Sequence, residues 1–273
     1  MKKSKRKALG QHFLINRTIL NRIVKTIDPQ QEDLIIEIGA GKGALTFPLA
    51  RKAGKVIAIE KEKSFIPILQ SKNIPNLTIL EKDILRIDFK ELIKKGGNSK
   101  ANVKLVGNLP YSISSPLLFK VFRDKDLFPE SIFLLQKQVA ERICAKPESK
   151  KYAPLSILFQ IYFSTKIHFI VTPEAFSPPP RVDSAFISLK RRQAPLIPIK
   201  DDQFFLKFLK GAFRHRRKIL PNNLEKLHFP SPLIEKALQK CKINRDLRPE
   251  QLTISQFVTL FNIFFPGGKE NIV

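Results

Sequence analysis

The chain has 273 residues, enough for one large domain or a large domain and a small one. It carries 49 Lys and Arg against 24 Asp and Glu, a formal charge of +25, so a polyanionic partner is expected, because neutralised phosphates supply most of the affinity in nucleic-acid binding. Cys144 and Cys241 lie far apart outside any CxxC, which signals neither a disulfide framework nor a zinc site, and no apolar run reaches the length of a membrane span. A reducing, cytoplasmic setting follows as the expectation.

The first residues, MKKSKRKALGQHFLINR, are basic but lack the apolar core of a signal peptide. They read as a basic arm that meets RNA, or as a solvated tail. Apolar Ile19, Leu20, Ile23, Val24 and Ile27 recur at helical spacing and predict a helix over Thr18–Ile27, ended by Asp28-Pro29. Leu34–Ile38 reads as a buried strand that runs into Gly39-Ala40-Gly41-Lys42-Gly43, then a helix to Ala50 and a second strand from Lys55 that closes on Glu60. This is a βαβ unit of the kind that binds ligands at the carboxyl ends of parallel strands. The Gly-x-Gly-x-Gly spacing matches neither the dinucleotide fingerprint nor a phosphate-binding P-loop. Glu60, 21 positions after Gly39, stands where a carboxylate accepts from both hydroxyls of a ribose.

The alternation continues with a helix over Lys61–Ser71 and a strand over Leu77–Leu80, followed by Asp83, which suits either the amino group of an adenine or a turn cap. Phe89 to Lys104 is expected to hold a polar, Gly-containing loop, and Val103–Gly107 a fourth strand. Four strand ends thereby bring Gly39 and Gly41, Glu60, Asp83 and Asn108 to one edge of one sheet.

The loop that leaves the fourth strand, Asn108-Leu109-Pro110-Tyr111, presents an amide, free carbonyls and a phenol ring, stiffened by Pro110, with no strong acid, base or nucleophile. It is either a Pro-Tyr turn after a buried strand or a cradle for a flat, weakly basic amine, whose N–H groups the carbonyls accept while Tyr111 stacks on its ring. The exocyclic N6 of adenine fits the second reading.

Further on, Ser115–Phe122 reads as a helix, Ser131–Gln136 as a strand, Val139–Ala145 and Pro154–Phe163 as helices, and Lys166–Val171 with Ala185–Leu189 as a terminal strand pair. The loop between that pair, TPEAFSPPPR, holds Phe176 as a loop anchor or as a partner for a flat ring. Gln193–Lys200 reads as a linker, and from Asp201 only helices are expected, over Phe204–Phe213, Leu220–Leu227, Pro232–Cys241 and Ile254–Phe264. The division is thus 1–192, a basic arm with an α/β domain, and 193–273, a small all-α C-terminal domain. Arg214-His215-Arg216-Arg217-Lys218 forms a cationic cluster suited to phosphates, and the four histidines share no ligand spacing, so no metal is assigned.

Eight blocks in order, LGQHFL, EIGAGKGALT, AIEKE, KDIL, GNLPYSISSPLL, LLQKQVAERI, FSPPPRVDSAF and AFRHRRKIL, resemble the KsgA-type small-subunit ribosomal RNA adenine N6,N6-dimethyltransferases over nearly the whole chain. The resemblance implies a Rossmann-like methyltransferase sheet using S-adenosylmethionine, with a small helical C-terminal domain. It also implies dimethylation of two adjacent adenosines in the 3′-terminal hairpin loop of small-subunit rRNA, on RNA or a pre-30S particle, by a monomer. By matched position, His12, Leu14, Gly39, Gly41, Glu60, Asp83 and Asn108 would serve the cofactor. Asn108, Leu109, Pro110, Tyr111 and Phe176 would serve the target base, and Arg214, Arg216, Arg217 and Lys218 the RNA. His12 stands where many members carry Asn. The alternatives are an Erm-type large-subunit adenine methyltransferase and a non-catalytic nucleic-acid-binding assembly factor of the same fold. Leu109, the FSPPPRVDSAF loop and the HRRKIL block favour the small-subunit type, and the intact Gly39, Glu60, Asp83 and Asn108 favour catalysis.

Overall fold

Strand β2, Asp33–Ile38, is buried along its whole length, and its Leu34, Ile35, Ile36 and Ile38 fall on both faces, as a parallel sheet covered on both sides requires. The protein is described by a computed structural model over residues 12–96 and 102–266; the basic run Lys2–Lys7 and the start of the LGQHFL block lie outside the described residues. Two compact units are present, one of described residues up to Ala140 together with Ser164–Arg191, the other of Glu141–Phe163 together with the described residues from Arg192.

The first unit opens with β1 (Phe13–Leu14) and α1 (Arg17–Ile27). Asn16 caps α1 by accepting the Ile19 N–H at 3.0 Å, and Asp28, left-handed at φ +47°, ends it. After β2 come α2 (Thr46–Ala50), β3 (Lys55–Glu60), α3 (Ile66–Gln70), β4 (Leu77–Glu81), α4 (Phe89–Lys95), β5 (Asn102–Asn108), α5 (Ser114–Arg123) and β6 (Glu130–Gln136). Helix α6 (Lys137–Ile143) and α7 (Pro154–Tyr162) lead to β7 (Phe163–Val171), β8 (Phe176–Ser177) and β9 (Ser184–Arg191).

Seven strands form one sheet in the order β4-β3-β2-β5-β6-β9-β7. The first five of these are mutually parallel, and β9 runs antiparallel to β6. Strand order reverses between β2 and β5, where Ile38 lies opposite Gly107. That reversal opens a crevice beyond the carboxyl ends of the two strands, the place where open α/β sheets take their ligands. Ile35, Val106, Ile132 and Phe186 pack with Ile23 and Ile27 of α1 in the core of this unit.

Two departures from the sequence reading concern this unit. Phe89–Lys95 is a helix where a loop was expected: Asp88 caps it by accepting the Lys90 and Glu91 N–H groups. A second, two-stranded sheet joins β1 to β8 antiparallel, with Leu14 opposite Phe176, and brings the N-terminal segment to the proline-rich loop.

The second unit holds α7, α8 (Asp202–Ala212), α9 (Leu220–Glu225), α10 (Ser231–Lys240) and α11 (Ile254–Phe264). Its core is aromatic: Phe205, Phe208 and Phe261 are almost fully buried, with the Phe205 and Phe261 rings edge to face at 5.1 Å. The unit thus includes 141–163, in addition to the C-terminal residues the sequence assigned to it.

Candidate active site

A cavity of about 350 Å³ lies at the switch point, within the range of small-molecule sites. His12, Gly39, Gly41, Glu60, Asp83, Asn108, Leu109, Pro110, Tyr111 and Phe176 all line it. Gly39, Gly41 and Gly43 have positive φ, and at Gly41 a Cβ would stand 3.1 Å from the Phe13 ring, so a side chain there meets both strain and a wall.

Glu60 closes β3 with its carboxylate already engaged. Its Oε2 accepts the Gly41 N–H at 2.7 Å, and its Oε1 accepts the N–H groups of Lys61 and Glu62, each at 2.8 Å. A carboxylate offers about four lone-pair positions, so one remains open on Oε2. Accepting both hydroxyls of a ribose therefore requires one N–H donor to share its oxygen. Asp83 is likewise the turn cap that the sequence allowed, accepting the Leu85 N–H at 3.0 Å, and it pairs with Lys61 Nζ at 2.8 Å. The Lys61 ammonium, and then the Leu85 N–H, hold the Asp83 carboxyl below its ordinary range. An exposed pair of this kind is weak, and an incoming donor can displace it.

Asn108 ends β5 with its amide oriented: Nδ2 donates to the His12 carbonyl at 3.0 Å, which leaves Oδ1 as the free acceptor end. Leu109 is buried, and its N–H donates to the Leu134 carbonyl, so its share in the site is its own carbonyl and not its side chain. The Pro110 carbonyl is taken by the Ile113 N–H and the Ser114 hydroxyl. Tyr111 is half-buried, its phenol 2.7 Å from Ser184 Oγ and its ring 5.5 Å from that of His12. The His12 Nδ1 lies 2.8 Å from the Pro178 carbonyl. Three segments distant in sequence are thereby tied into one wall.

Other candidate residues sit differently from the sequence expectation. Leu14 is buried in the core and lines a neighbouring cavity of about 240 Å³ rather than the larger one, because pairing with Phe176 turns it inward. Phe176 is 3% exposed, so it is the buried loop anchor of the sequence reading, and it also lines the cavity. In the second unit, Arg214, Arg217 and Lys218 are exposed, but Arg216 donates to the carbonyls of Lys150 and Tyr152 at 2.7 and 2.9 Å and serves as a bracket of that unit.

Sequence reasoning passed over Glu37, 2% exposed one residue before the end of β2 and on the wall of the smaller cavity. Its Oε2 has no hydrogen-bond partner. Burial pushes the carboxyl up to about 7, with the Glu60 carboxylate adding to the rise; the nearby Thr46 hydroxyl opposes it without reaching good hydrogen-bond geometry. An acid between Ile36 and Ile38 of a buried strand was the available signal. Among the described residues, no group of three or more His, Cys, Asp or Glu could hold a metal ion, and no helix is long and apolar enough to cross a membrane.

A glycine turn under a carboxylate at one strand end, with an oriented amide at the next across a switch point, belongs to the Rossmann-like methyltransferases that use S-adenosylmethionine. Residues 2–265 match the ribosomal RNA adenine dimethylase family, and the chain belongs to that family. It is 40% identical over 268 residues to a ribosomal RNA small subunit methyltransferase A of Lactococcus lactis, covering 97% of this chain and 91% of the relative. A dimethyladenosine transferase from Plasmodium falciparum superposes with a TM-score of 0.79 at 25% identity, over 94% of this chain and 98% of the other. The 23S rRNA methyltransferase ErmE shares the fold, with a TM-score of 0.70 at 22% identity over 92% and 98% of the two chains.

Proposed function

We propose that this protein dimethylates N6 of two adjacent adenosines in the 3′-terminal hairpin loop of small-subunit rRNA, acting as a cytoplasmic monomer on an assembling pre-30S particle. The observation that carries this reading is the Asn108 amide, anchored through Nδ2 so that Oδ1 is left to accept. The cavity suits S-adenosylmethionine: a nucleoside needs a bare glycine turn, an acid for its ribose and an acceptor for its amino group, and Gly41, Glu60 and Asp83 supply them on one wall. When bound, that group supplies an electrophilic methyl on a sulfonium.

The chain's own part is alignment. An adenine inside a duplex hides its N6, so a loop base must be splayed out and held by stacking. Tyr111 gives the ring face and Phe176 an apolar edge, while Asn108 Oδ1 and the Leu109 carbonyl accept from the amino group and draw its lone pair out of the purine. Holding that nitrogen in line with the methyl lowers the entropic part of the barrier, and the Tyr111 face favours the positive charge that develops on N6. No strong base is required, because the methylated nitrogen is acidic. Arg214, Arg217 and Lys218 give phosphates a cationic surface.

Mass spectrometry of small-subunit RNA from a strain lacking the protein tests the reading. Two unmethylated loop adenosines, restored by a plasmid copy, are expected, and fully methylated RNA overturns it. Primer extension on both ribosomal RNAs separates it from action on the large subunit.

A further inference from the structure

Tyr111 follows Pro110 at the mouth of the cavity, and a ring that receives an extruded base must keep one rotamer when the base is absent. Its phenol oxygen lies 2.7 Å from Ser184 Oγ. Ser184 is 1% exposed, begins β9 and pairs with Gln136 of β6. The residue before it, Asp183, is held twice by Lys137: its carbonyl accepts the Lys137 N–H at 3.0 Å and its carboxylate accepts Nζ at 2.9 Å. The hydroxyl that meets the phenol therefore sits on backbone fixed from both sides. Burial raises the phenol's pKa and outweighs the Ser184 contact, which lowers it, with the Asp183 charge adding to the rise, so the phenol stays protonated.

We infer that Ser184 is a positioning residue for methyl transfer: it locks the Tyr111 ring in the orientation that stacks on the target adenine. This rests on the reading of Tyr111 as the base platform. Ser184 touches neither base nor methyl donor in this scheme. It sets the fraction of encounters in which the ring is ready, so its loss lowers kcat more than it raises KM for RNA.

The test compares Ser184→Ala, Ser184→Thr, Tyr111→Phe and the Ser184→Ala/Tyr111→Phe double variant on a hairpin RNA. Parallel binding runs use the same RNA with 2-aminopurine at a target position. Ser184→Ala is expected to lose about tenfold in kcat, the loss of roughly one ordinary hydrogen bond, with cofactor affinity by calorimetry unchanged. Tyr111→Phe, which keeps the ring, is expected to lose as much, and the double variant no more than either, since both remove one contact. Ser184→Thr restores the rate. The bound 2-aminopurine is expected to be less quenched in Ser184→Ala than in the parent. Wild-type kcat in Ser184→Ala or Tyr111→Phe, or losses that add in the double variant, overturns the inference. Tyr111→Ala separates the two levels: an active Tyr111→Ala enzyme removes the platform itself, whereas an inactive one beside a fully active Ser184→Ala removes only the role of Ser184. If Ser184→Ala fails to fold, Tyr111→Phe carries the same comparison.

Discussion

Asn108 illustrates how much one oriented side chain is asked to do. Its Nδ2 contact to the His12 carbonyl decides which end of the amide is left to accept, so on the proposed function Asn108→Ala removes both an acceptor and the contact that aims it. Methyl transfer is expected to fall at least about a hundredfold in single-turnover assays, the usual loss for a preorganised group at a reacting centre, while RNA affinity by filter binding changes little. Glu37 makes a prediction of a different kind. Its carboxyl titrates near 7 in the folded protein against an ordinary value of 4.5. Between those values the folded protein keeps a proton that the unfolded chain has lost, so stability falls as pH rises through this window and levels off above it. Glu37→Gln removes that contribution: urea titrations should show a variant close to the parent at pH 4 and more stable by on the order of 3 kcal/mol at pH 8. An identical pH dependence in both proteins would reject the buried-acid assignment.

Elements rather than residues decide where the cavity opens. The alternation of strands and helices was readable because its apolar runs are short, bounded by Gly, Pro and Asp, and repeated; the glycine turn, the acid that ends β3 and the acid after β4 stood out by position alone. Helix α4 was missed because FKELIKK sits in a polar stretch, although Asp88 before it is a usable start signal. The pairing of β1 with β8 was illegible for a stronger reason. Two-residue strands carry no periodicity, and their partners lie more than 160 positions apart. The depth to which Leu14 and Phe176 are buried was consequently not foreseen, and Lys61 was not seen to reach Asp83. The glycine turn gives this scale its test. Gly41→Ala places a Cβ at φ +55° and 3.1 Å from Phe13, and disturbs the N–H that engages Glu60. It should cost about 1–2 kcal/mol in urea unfolding and weaken cofactor binding by calorimetry, whereas unchanged affinity would show the turn to be tolerant.

At the scale of the whole molecule, the cationic cluster divides between exposed side chains and one engaged in internal structure. The cationic turn after α8 is pinned by the buried Asn223, which accepts the His215 N–H at 2.9 Å, and by Arg216 on the Lys150 and Tyr152 carbonyls. Reversing Arg214, Arg217 and Lys218 together should flatten the dependence of log affinity on log salt by about 2–3 units; Arg216→Ala should instead lower thermal stability and leave that slope nearly unaltered. A slope that responds to Arg216 and ignores the other three would invert the assignment. The clasp of β1 on β8 reaches further. Because the carbonyl that aims Asn108 belongs to His12, and His12 is itself held against Pro178, a protease nick that frees the segment ahead of α1 is expected to cost activity twice over, by releasing the Asn108 amide and by taking His12 off the cavity wall. The leading strand is a latch, and catalysis is expected to depend on its integrity.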